Sequence, residues 1–74
     1  MTKIMDFNEI VTICEQKKQT GDVLTLSKML GHTTDAIRMR LSRKDDETYK
    51  ALYKIIEQRE KLIKEYKNQE IINQ

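Results

Sequence analysis

Asp22-Val-Leu-Thr-Leu-Ser-Lys-Met-Leu-Gly31-His-Thr-Thr-Asp-Ala-Ile-Arg-Met-Arg-Leu-Ser-Arg43 is the stretch whose reading decides the fold. Val23, Leu26 and Leu30 recur at the three-to-four-residue spacing of one helical face, with Asp22 placed to cap and Gly31 placed to stop a short helix. Thr33 is a good cap for a second helix running to about Arg43, whose apolar stripe is Ala36, Ile37 and Leu41. Ser27 supplies a small side chain where the two helices need to approach closely. At ~100° per residue from Ile37, Asp35, Met39 and Ser42 point away from that stripe, and Arg38 and Arg43 stand on its two flanks. Two short helices joined by a tight glycine turn are therefore expected, the second carrying its basic groups outward.

Working outward, Asp6-Phe-Asn-Glu9 opens an earlier helix as a capping box, with Met5 and Ile10 as its hydrophobic staple. Phe7, Ile10, Val11 and Cys14 form one face of that helix, which ends among Lys17, Lys18 and Gln19, where basic groups suit the helix dipole. Beyond Arg43, the acid cluster Asp45-Asp46-Glu47 favours a helix N-terminus, and the pattern continues to roughly Asn68, with a frayed or short polar tail expected after Tyr66. A helix of that length is about 36 Å long at ~1.5 Å per residue. A compact domain of this size is only about 29 Å across. The last helix should overshoot its own domain.

The chain has 74 residues, contains no Pro or Trp, and is 35% charged and only 5% aromatic, so its core must be aliphatic and its helices must have wet faces. No strand pattern is present. The expected class is all-α: a four-helix chain with its helix pair in the middle and a long C-terminal helix. Residues 1–44 would form the functional unit, and residues 45–74 a long helix continuous with it. Chains below about 80 residues rarely draw more than ~3–5 kcal/mol from their own core, which makes a stabilising partner expected. A single cysteine cannot form an intramolecular disulfide, and no metal-ligand spacing accompanies Cys14, so oligomerisation is the remaining device. Cys14 itself reads as a small core residue.

Charge is unevenly placed. The net +2 divides into +3 over residues 1–44 and −1 over residues 45–74, and Arg38-Met-Arg-Leu-Ser-Arg-Lys44 holds four cations without an acid. Paired carboxylates, a nucleophile with its base, a phosphate-cradling glycine loop and a metal site are all missing from the pattern, so no enzyme activity, no cofactor and no metal is expected. No apolar stretch approaches the length of a membrane span or a signal-peptide core, and a cytoplasmic protein is expected.

Residues 22–43 read as a helix-turn-helix, and at this point a family resemblance becomes specific. Ser27 four residues before the turn glycine, Leu30, Gly31, the Thr33 cap and the anchors Ala36, Ile37 and Leu41 resemble the motif of Cro and repressor-type bacterial and phage regulators. The resemblance covers about 22 residues and departs from the family at His32, where an apolar residue is usual; either the ring packs by its edge or the turn is more open. It implies a helix lying in the DNA major groove. Arg38 would then read guanine through its O6 and N7 acceptors, Met39 would pack on a thymine methyl, and Asp35 would accept from cytosine. Thr34 and Ser42 suit phosphates or base edges, while Arg40, Arg43, Lys44 and Lys28 would position the duplex through phosphates, with His32 and Thr33 beside them at the turn.

On the last helix, Tyr49, Leu52, Ile56, Ile63 and Tyr66 follow a coiled-coil alternation interrupted by Arg59, with Ile55 and Leu62 as supplements. These are the expected dimer-interface residues. The leading expectation is a homodimeric transcriptional regulator of a bacterial cell or phage-infected host, binding double-stranded DNA with its recognition helices ~34 Å apart. The alternative is a protein-interaction adaptor whose last helix docks in a larger partner's groove, a reading that the modest net charge and acidic second half favour. Binding to structured RNA through Arg38–Lys44 is a third possibility.

Overall fold

In the computed structural model, which describes residues 6–72 and side chains through residue 68, the chain is built from α-helices alone. In chain order these are α1 (Phe7–Lys17), α2 (Asp22–Leu30), α3 (Thr34–Ser42) and α4 (Asp46–Ile72). The all-α reading and all four helices are present among the described residues, and α4 is the long element expected. It runs to Ile72, four residues past the expected end, because nothing between Asn68 and Ile72 is a Gly or Pro able to stop it. Met5, assigned to the staple, lies outside the described residues.

Local chemistry sets the helix ends. Asp6 accepts from the Glu9 amide at 2.9 Å, and Thr33 Oγ1 accepts from the Ala36 amide at 3.1 Å. Asp45 caps α4 twice over, its Oδ2 accepting from the Thr48 amide at 3.1 Å and from the Thr48 hydroxyl at 2.7 Å. The Thr48 hydrogen bonds hold the Asp45 carboxyl below the usual aspartate range, and Arg40 adds a smaller push in the same direction. Gly31 adopts φ 72°, and the amides of Gly31 and His32 both donate to Ser27 O, closing α2. Lys44 repeats that geometry at the end of α3 with φ 57°: its amide donates to Leu41 O at 3.1 Å, and the Asp45 amide donates to Arg40 O at 2.9 Å.

The core forms where α1, α2 and α3 meet the first half of α4. Val11, Cys14, Leu26, Ile37, Leu41, Tyr49, Leu52 and Ile56 are buried, with Phe7, Ile10, Val23 and Leu30 packed around them. The Phe7 ring meets Tyr49 edge-on at 6.0 Å, and the Tyr49 hydroxyl donates to Leu41 O at 3.3 Å. Cys14, fully buried, points its thiol at Tyr49 O, and burial, with the Asp22 and Glu15 charges, pushes its pKa up to about 11. It is a core residue, as its place on the apolar face of α1 indicated.

Two sequence expectations need correction. Asp22 does not cap α2; Gly21 stands at the cap position, and Asp22, the first residue of α2, is buried. Its Oδ1 accepts from Arg59 Nη1 at 2.7 Å and its Oδ2 from the Gln19 amide at 2.9 Å, while Arg59 Nη2 donates to Lys17 O at 2.8 Å. Arg59 thus ties the α1–α2 turn to α4 and is not an interruption in a dimer seam. Three other seam residues, Tyr49, Leu52 and Ile56, are at most 5% exposed within their own chain. The same periodicity that marks a seam marks a face buried by α1, α2 and α3, and only tertiary packing separates the two.

The molecule is elongated, 46 × 29 × 19 Å, because α4 continues past the core for several turns. No helix among the described residues is long and apolar enough to cross a membrane.

Candidate nucleic-acid interface

Burying Ile37 and Leu41 fixes the rotation of α3, and the rest of its surface follows from ~100° per residue. Asp35, Arg38, Met39, Ser42 and Arg43 are exposed, as is Lys44 in the turn after α3. Lys28, in the last turn of α2, is exposed as well. The outward face thus gathers three cations from α3 and its C-terminal turn around an exposed methionine.

Arg38 Nη1 lies 3.3 Å from Asp35 Oδ1, with the two side chains 66% and 90% exposed. A pair that open is worth ~0–1 kcal/mol, whereas a bidentate arginine–guanine contact gives ~1–3 kcal/mol of discrimination. Asp35 therefore orients Arg38 without holding it back from a base edge.

Arg40 behaves differently. It lies on the side of α3 that faces α4, half-buried, with Nη1 3.7 Å from Asp45 Oδ2 and 3.9 Å from Glu47 Oε1. Its charge is directed into the chain, and the outward cluster is Arg38, Arg43 and Lys44 without it. Thr33 uses its hydroxyl oxygen as the α3 cap, and Thr34 is half-buried. His32 is half-buried too, its carbonyl accepting from the Ser27 hydroxyl and its amide donating to Ser27 O at 3.1 Å. The turn is closed by backbone bonds, so the departure from the family pattern at His32 does not open it.

One residue escaped the sequence reading. Lys18, at the end of α1, lines a cleft of 370 Å³ together with Glu15, Arg38 and Ser42, above Leu41 and Tyr49. It joins the α3 face through tertiary packing across 20 residues of chain, a relation that no local pattern carries.

Among the described residues no group of three or more His, Cys, Asp or Glu side chains is close enough to hold a metal ion. No protein-family model, curated protein or solved structure matches the chain.

Proposed function

We propose that this chain is a sequence-specific double-stranded DNA-binding protein, a non-enzymatic transcriptional regulator of the helix-turn-helix kind that works as a homodimer in the cytoplasm of a bacterial or phage-infected cell. The observation that carries the reading is the outward face of α3: Arg38, Met39, Ser42 and Arg43 are exposed on a helix anchored by buried Ile37 and Leu41. That combination supplies what groove reading requires, a forked donor and an apolar contact for base edges flanked by cations for phosphates. The spacing of Ser27, Leu30, Gly31 and Thr33, similar to Cro and repressor-type regulators, supports the same reading. Lys18, Lys28, Arg43 and Lys44 take the phosphate role and Arg38 the base-reading role.

Selection of bound sequences from a random duplex pool tests this directly. The wild-type chain should enrich one motif, and Arg38→Ala should relax a single base-pair position of it at a cost of ~1–3 kcal/mol. A pool that stays unenriched would remove the function, and an unchanged motif with Arg38→Ala would remove Arg38 from the readout.

An adaptor reading draws support from the exposed Leu62, Ile63 and Tyr66 of α4, which suit a protein partner. Retention on random-sequence DNA at low salt separates the two, since an adaptor should pass through unretained.

A further inference from the structure

With Tyr49, Leu52 and Ile56 inside the core, the surface that pairs two chains has to lie elsewhere on α4. Beyond Ile56 and the Arg59 clamp, α4 leaves Leu62 53%, Ile63 50% and Tyr66 66% exposed. Leu62 and Ile63, with Ile55 from the same helix and Met29 from α2, line a groove of 490 Å³ that has Lys54 and Gln58 on its rim. A second hollow of 380 Å³, sharing Met29 and Lys54, continues it to Ala51. At ~100° per residue Ile55, Leu62 and Tyr66 fall within about 40° of one another, a stripe about 16 Å long.

We infer that a second copy of this chain covers this stripe, with the two α4 helices antiparallel about a two-fold axis near Gln58 and Arg59. This deepens the proposed function, since it rests on the reading that two helix-turn-helix units act together. In that register Ile55 of each chain lies opposite Leu62 of the other, and the projecting Tyr66 lies over the partner's Ala51 and Met29. The groove and the group that fills it belong to one patch, which is the self-complementarity a two-fold interface requires. Charge selects the direction. Lys54 and Glu65 stand about 20° apart on the same flank of the stripe, and neither has an ion-pair partner among the described residues. A parallel two-fold pair sets this flank of one helix against the opposite flank of the other, so Lys54 and Glu65 do not meet across it. The antiparallel pair sets each Lys54 within about two residues, ~3 Å along the axis, of the partner's Glu65.

Sedimentation equilibrium of the full chain tests the surface. The wild type should show a monomer–dimer equilibrium, and Leu62→Glu should raise the dimer dissociation constant by at least about tenfold. Leu62 lies outside the core, so circular dichroism should report the same helix content for this variant, and the same melting as wild type at concentrations where the wild type is monomeric. Lys54→Glu and Glu65→Lys should each weaken the dimer several-fold, and the double variant should return toward wild-type affinity. A chain that stays monomeric at every concentration, as it would if a larger protein covers the stripe, overturns the inference. So does a dimer indifferent to Leu62→Glu, and a double variant no tighter than the single ones overturns the antiparallel register. Binding of a random DNA duplex, measured separately on each variant, keeps the two proposals apart. A dimer with this mutational pattern that retains no DNA sinks the regulator and supports the surface, whereas a DNA-binding monomer does the reverse.

Discussion

Lys44 has the left-handed backbone that closes α3, a conformation costing a non-glycine residue roughly 1–2 kcal/mol. Lys44→Gly removes that strain but returns part of the gain as unfolded-chain entropy, so the variant should be more stable by about 0.5–1 kcal/mol. Urea unfolding at neutral pH measures this, and a destabilised variant would mean that the lysine side chain holds the turn. Because Lys44 is also assigned a phosphate, the same variant should bind duplex DNA more weakly while folding more tightly. Arg38 and Arg40 differ in an equally local way. Two residues apart in a run of four cations, one faces outward and the other is directed to Asp45 and Glu47.

At the level of elements, α4 is held at its start by Asp45 and near its middle by Arg59. The Asp45 carboxyl titrates below its unfolded value, so its contribution is present above about pH 4 and is lost as the pH falls through the folded pKa. Asp45→Asn keeps a capping oxygen but not the charge. Its melting temperature should lie below wild type at neutral pH, and the two should converge as the pH falls through the lowered pKa of the folded carboxyl; a gap independent of pH would exclude the ionised cap as the cause. Arg59→Ala leaves Asp22 buried without its cation and Lys17 O without its donor. Losing one partner of a fully buried pair costs ~3–5 kcal/mol, and the Arg59 side chain is 22% exposed, so about 2–3 kcal/mol is expected from chemical denaturation. A loss below 1 kcal/mol would show that the clamp is incidental.

For the molecule as a whole, the proposed DNA binding makes the outward cations Lys18, Lys28, Arg38, Arg43 and Lys44 the groups that set its response to salt. Neutralising four or five phosphates per protomer predicts a slope of log K against log salt of roughly −4 at ~0.9 per phosphate. Affinity unaffected between 50 and 200 mM salt, where this charge set implies a loss of roughly 150- to 500-fold, would rule out the assigned face. The length of α4 belongs to this scale too. An element that outruns its own core leaves an apolar stripe whose burial needs a second surface, and the 46 Å long axis is the measure of the overrun.

Periodicity and cap chemistry alone determine the four helices, the Asp6 and Thr33 caps, the Gly31 stop and the outward set on α3, because each depends on residues within four positions of one another. Several sequence readings differ from the structure because a local pattern cannot tell which neighbour a side chain meets. Tyr49, Leu52 and Ile56 repeat like a seam, yet α1, α2 and α3 bury them. Asp22 looks like a cap, yet Arg59, 37 residues away, claims its carboxylate. Lys18 beside Arg38 and Ser42, the inward turn of Arg40 and the stripe that runs from half-buried Ile55 to exposed Leu62 and Tyr66 are likewise set by how the helices pack. Spacing says which side chains share a face, and only the packing of α1, α2 and α3 on α4 decides which of those faces remain open to a partner.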